Sequence, residues 1–64
     1  MRWKAIFIPA SGESFEKTAK LENNLNKVVY SFLSTSKGQY DVYTYFHNGT
    51  DWTFRSFTEW KTKQ

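Results

Sequence analysis

The sequence predicts an α+β fold in two layers, with one long amphipathic helix packed on a three-stranded, mainly antiparallel sheet. The order is β-α-β-β, and residues 1–64 form a single small domain. Three observations predict this. Two β-rich runs flank Asn48-Gly49, a strong short-range hairpin signal. An apolar stripe of helical period runs from Phe15 to Leu33. A further β-rich run opens the chain and stops at Pro9, where a strand has to give way to a turn.

The first element covers residues 2–8, Arg-Trp-Lys-Ala-Ile-Phe-Ile. Ser11-Gly12-Glu13-Ser14 then reads as a helix start, with serine caps for the free amides and with Glu13 and Glu16 near the positive end of the dipole. At about 100° per residue, Phe15, Ala19, Leu21, Leu25, Val28, Val29, Phe32 and Leu33 share one half of the wheel. Glu22 and Asn26 intrude there. The helix is therefore expected from about Ser14 to Ser34, closed by Ser36-Lys37-Gly38, with Gly38 as a left-handed cap. A rival reading ends the helix near Lys27 and makes residues 28–35 an extra strand, because Val28-Val29-Tyr30-Ser31-Phe32 is rich in β-formers. Periodicity favours the helix.

For the hairpin, strands are expected at Tyr40–Phe46 and Trp52–Trp60. A three-residue loop, His47-Asn48-Gly49, gathers Tyr40, Val42, Phe46, Trp52 and Phe54 on the core face and sets Asp41 opposite Arg55. A two-residue loop would put aromatics on both faces. The apolar phase switches at Phe57, so a bulge or kink is expected near Ser56. With all-antiparallel pairing the commoner case, the last strand is expected in the middle of the sheet. Trp60 anchors that strand before a short tail, Lys61-Thr62-Lys63-Gln64.

Composition narrows the function classes. There is no cysteine, so thiol nucleophiles and thiolate metal sites are excluded. The apolar stretch after Met1-Arg2-Trp3-Lys4 is shorter than a signal-peptide core of ~7–15 residues, and no stretch approaches the ~20 residues of a membrane span. A cytoplasmic protein is expected. Nine Lys and Arg against six Asp and Glu give a formal net charge of +3, which argues against a mimic of DNA but fits nucleic acid or an acidic protein as partner. The charge is spread along the chain, with no basic run that would read as a tail.

Single-residue candidates yield to plainer readings. His47 stands alone beside a turn and has no second ligand set near it in sequence. Glu22 reads as a carboxylate snorkelling at the helix edge. Ser14 and Lys17 share the serine–lysine spacing of penicillin-recognising enzymes, but the other motifs of that chemistry are missing and capping accounts for the serine. Ser11-Gly12 offers a phosphate only a lone glycine at a helix start. Asn48-Gly49-Thr50 fits a glycosylation acceptor, yet Asn-Gly is what a hairpin turn demands. Lys17, Lys20, Asn24 and Lys27 read as a solvated outer helix face. The expectation is a non-enzymatic protein without cofactor or metal.

Aromatic excess is the remaining feature, with three Trp, four Tyr and six Phe. One helix covers only one sheet face. Tyr43 and Tyr45 are therefore expected on the open face with Arg55, and with Lys4 or Trp3 from the first strand according to how that strand faces. Tyrosine, tryptophan and arginine dominate protein-binding hot spots, so an inhibitor or adaptor contacting a protein, or a homodimer, is the leading expectation. A single-stranded nucleic-acid binder using the same Tyr, Arg and Lys side chains is the alternative. No membrane partner is expected.

Overall fold

The computed structural model describes residues 2–61. Five elements follow in order: β1 (Arg2–Pro9), β2 (Phe15–Ala19), α1 (Glu22–Thr35), β3 (Gln39–His47) and β4 (Trp52–Lys61). One helix packs on one antiparallel sheet, as expected of an α+β chain. The sheet has four strands instead of three, in the order β2-β1-β3-β4.

The extra strand comes from the segment expected to form the first turns of the helix. Phe15-Glu16-Lys17-Thr18-Ala19 pairs with β1 in the register Phe7↔Phe15 to Trp3↔Ala19. Residues four apart share a face in a helix and also in a strand, so Phe15 and Ala19 fitted the wheel without being helical. Phe15 stacks on Phe7, with centroids 5.0 Å apart, and meets the edge of Phe32 at 5.2 Å. The rival reading is overturned too, because residues 28–35 are helical. Val28, Val29 and Phe32 have β propensity, but tertiary packing outweighs so weak a preference.

The helix starts at Leu21, without a side-chain cap. At its other end Ser36 is the cap, its amide donating to the Leu33 carbonyl. Ser36 Oγ donates to the Phe32 carbonyl at 2.7 Å, and Thr35 Oγ1 reaches the Ser31 carbonyl at 3.0 Å. Hydroxyls here do the work expected of Gly38, which adopts a positive φ of 109° two residues beyond the cap.

The additional strand also decides strand order. A direct β-α-β connection would have set the first and next strands parallel, whereas the β1–β2 hairpin reverses the chain before the helix. Consequently β3 returns antiparallel to β1 and pairs with it over eight residues, Arg2↔His47 to Pro9↔Tyr40. The last strand, expected in the middle, is at the edge. Pro9 fits inside β1 because the Ala10 amide bonds the Gln39 carbonyl at 3.0 Å on the β3 side. The amide Pro9 lacks would point the other way, beyond the end of β2.

The core lies between α1 and one face of the sheet, centred on β1 and β3. Ala5, Phe7, Leu25, Leu33 and Val42 are buried, with Trp3, Phe32, Tyr40 and Trp60 packed around them. The molecule is long and thin, 40 × 19 × 16 Å. It exposes 4791 Å², against roughly 4,300 Å² expected for its mass. No helix among the described residues is long and apolar enough to cross a membrane. Lys61 belongs to β4, and the rest of the expected tail, residues 62–64, lies outside the described residues.

Candidate binding face

The hairpin loop sets which side chains face outward. His47 pairs with Trp52, so the loop is the four residues Asn48-Gly49-Thr50-Asp51, longer than either expected form. Asn48 organises it: its Oδ1 accepts from the Thr50 amide at 2.9 Å and the Asp51 amide at 3.0 Å, and its amide donates to the Asp51 carbonyl. Gly49 supplies a φ of 102°. The side chain of Asn48 is thus committed to the turn. His47, expected within the loop, is the last residue of β3, with Nδ1 accepting from the Gly49 amide at 3.1 Å.

One additional loop residue moves the start of β4 to the opposite parity. Phe46 pairs with Thr53, and Tyr45 with Phe54. Trp52 and Phe54, expected in the core, therefore lie on the open face beside Tyr45. The register then shifts: Thr44 pairs with Ser56, leaving Arg55 as the unmatched bulge residue, one position before the expected site. Beyond it, Phe57 pairs with Tyr43 on the open face again. The bulge keeps the aromatics on one side through the change of phase.

Four cross-strand rows build this face from one end to the other. The first is Arg2, His47 and Trp52, and the second is Lys4, Tyr45 and Phe54. The third is Ile6, Tyr43 and Phe57, with Glu16 on the far edge, and the fourth is Ile8, Asp41 and Glu59. Gln39 and Lys61 follow at the end. Ring pairs cross the strands within rows: Tyr43–Phe57 at 4.9 Å, Tyr45–Phe54 at 5.9 Å and His47–Trp52 at 5.0 Å. Lys4 Nζ lies 4.2 Å from the Trp52 ring centre and 5.6 Å from that of Tyr45. Phe54 is 55% exposed, Phe57 47% and Ile8 41%. Rings and aliphatic side chains fill the middle, with Glu16 at its edge; Arg2 and Lys4 stand at one end, and Asp41 and Glu59, followed by Lys61, at the other.

Of the five residues expected at the site, Tyr43, Tyr45 and Lys4 come together here. Trp3 and Arg55 do not. Trp3 alternates with Lys4 and packs on the helix side, 5.4 Å from Phe46. Arg55 turns to the helix side as well, where its Nε donates to Glu22 Oε2 at 3.2 Å. This pairing gives Glu22 its place on the apolar half of the wheel. Asp41, expected opposite Arg55, faces Glu59. Sequence reasoning missed Ile6, Ile8, Trp52, Phe54 and Phe57 as face residues; the Asx-turn capacity of Asn48, with Asp51 closing the loop, was the signal for the longer turn. The lysine stripe is dispersed, since Lys17 is on β2 with Nζ 5.7 Å from the Phe32 ring centre, whereas Lys27 is on α1.

An open cleft beside the first row is lined by Arg2, His47, Gly49 and Trp52. Among the described residues no three His, Asp or Glu side chains group as metal ligands. Compared with known proteins, the chain matches no family model, no curated protein and no solved structure.

Proposed function

We propose that this chain is a non-enzymatic binding protein that acts through protein–protein contact at its open sheet face, as an inhibitor or adaptor. The observation that carries the reading is the apolar centre of that face, where Tyr43–Phe57 and Tyr45–Phe54 form adjacent cross-strand pairs that no part of the helix covers. A contiguous exposed patch with a polar margin is the usual form of a protein-docking surface. Rings held against each other across a ladder lose little further freedom on binding, which favours them as anchors.

The alternative is a single-stranded nucleic-acid binder on the same face, and the observation that favours it is Lys4 over Trp52 with Arg2 in the next row. The opposite end weighs against it. A strand tracking the face would bring phosphates towards Asp41 and Glu59, and Arg55 is engaged on the other side of the sheet.

The test compares wild-type protein with a Tyr43→Ala/Tyr45→Ala variant as bait in extracts of the source cells. Each lost ring pair is worth ~0.2–1 kcal/mol, so the variant stays folded. Proteins held by wild type and lost by the variant support the reading; equal retention by both overturns it. Amide shifts at Lys4, Tyr45 and Trp52 with single-stranded DNA or RNA, shrinking steeply with salt, would favour the alternative.

A further inference from the structure

We infer that the occupant of the open face is a second copy of this chain, stacked face to face about a two-fold axis that lies in the interface and runs across the strands. The inference rests on the reading of that face as a protein contact and names the partner. Its basis is the segregation of charge along the strands. Arg2 and Lys4 stand at one end, Asp41 and Glu59 towards the other with Lys61 one row beyond them, and the rings of Tyr43 and Phe57 lie between.

Two isologous stackings of a sheet on its own copy are available. An axis parallel to the strands lays each row on the same row of the partner, so the basic ends meet each other and the acidic ends likewise. An axis across the strands reverses the order of rows. The row of Lys4 in one copy then covers the row of Asp41 and Glu59 in the other, twice by symmetry, the row of Arg2 covers that of Gln39 and Lys61, and the row of Ile6, Tyr43 and Phe57 lies on the axis against itself. Lys61, beyond the acidic row, comes over the partner's first row, where Trp52 presents its ring. Of the two, only the second sets opposite charges against each other, Lys4 against Asp41 and Glu59, with the rings of Tyr43 and Phe57 at the centre. Glu16, on edge strand β2, is brought near its own copy, but it sits at the margin where water and salt screen it.

The size of the face is adequate. Three strands at ~4.8 Å over five rows at ~6.8 Å, with β2 adding two rows, project to roughly 550 Å², which side-chain relief raises towards the ~800 Å² per partner of a standard interface.

The test is sedimentation equilibrium of the purified chain across the micromolar range, with four proteins. Wild type is expected to be a dimer. Phe57→Lys, which places like charges on the axis, is expected to be a monomer with unchanged fold by circular dichroism. Lys4→Glu and Asp41→Lys are each expected to weaken self-association ~10-fold or more, because each sets like charges end to end. Mixing these two variants restores wild-type affinity, since every Glu at position 4 then meets a Lys at position 41 and every remaining Lys4 meets an Asp41. Rescue in the mixture is specific to the cross-strand axis, and its absence overturns that axis. A wild-type chain that stays monomeric throughout overturns the second copy as occupant but leaves the protein-contact reading to the capture experiment. A dimer that survives Phe57→Lys associates by another surface and overturns this inference, with the capture experiment again judging the open face separately.

Discussion

Arg55 Nε lies 3.2 Å from Glu22 Oε2, joining the bulge of the edge strand to the first turn of the helix. The bulge residue has no cross-strand partner, and its side chain crosses to the helix layer. It reaches a carboxylate already favoured there by the positive end of the helix dipole. The two side chains are 56% and 43% exposed, so water screens the pair. A double-mutant cycle with Arg55→Ala and Glu22→Gln should give a coupling of ~0.5–1 kcal/mol or less, fading in high salt. A larger, salt-insensitive coupling would mean that the bulge geometry itself depends on the pair.

The core prediction concerns Phe7, fully buried at the centre of a ring cluster with Phe15 and Phe32. Phe7→Ala should cost ~3–5 kcal/mol, comparable to the whole stability of so small a domain. The variant is expected to be largely unfolded by circular dichroism at room temperature. A cooperative native-like melt would show that the neighbouring rings collapse into the space.

Trp60 presents the opposite case. Its indole Nε1 is buried with no hydrogen-bond partner among the described residues. Trp60→Phe removes an unsatisfied donor along with apolar area, and the two effects offset, so urea unfolding should register a cost below ~1 kcal/mol. A loss above ~2 kcal/mol would indicate that the packing of the larger ring outweighs relief of the donor.

The hairpin loop separates two kinds of energy. Asn48→Ala deletes an acceptor serving two amides and should cost ~1–2 kcal/mol. Gly49→Ala meets no atom within 4 Å, so its cost is the strain of a positive φ alone, ~1 kcal/mol. Thermal melts of both should show Asn48→Ala as the more damaging. The reverse order would assign the loop to backbone conformation in place of side-chain capping.

Much of the fold was legible from local pattern. Val42 and Phe7 sit in strands that their neighbours mark, Pro9 ends β1, and Asn48-Gly49 marks the hairpin. At the candidate face, Tyr43 and Tyr45 followed from alternation within β3, a short-range property. Trp3, Arg55, Trp52 and Phe54 did not, because their facing depends on quantities that span strands: which parity of β1 meets the helix, how long the loop is, and where the bulge falls.

Local pattern along the chain establishes one helix with an apolar stripe, a strand before Pro9, a hairpin, and an excess of aromatic side chains. These follow from propensity and periodicity, which act within a few residues. Tertiary structure alone decided that Phe15–Ala19 is a strand, since a four-residue spacing suits both periods and only the ring stack of Phe15 on Phe7 separates them. That choice reversed the chain once more, put β3 beside β1 and left β4 at the edge. A side-chain period of two makes facing sensitive to every inserted residue, so one more residue in the loop was enough to carry Trp52 and Phe54 from the expected core to the open face.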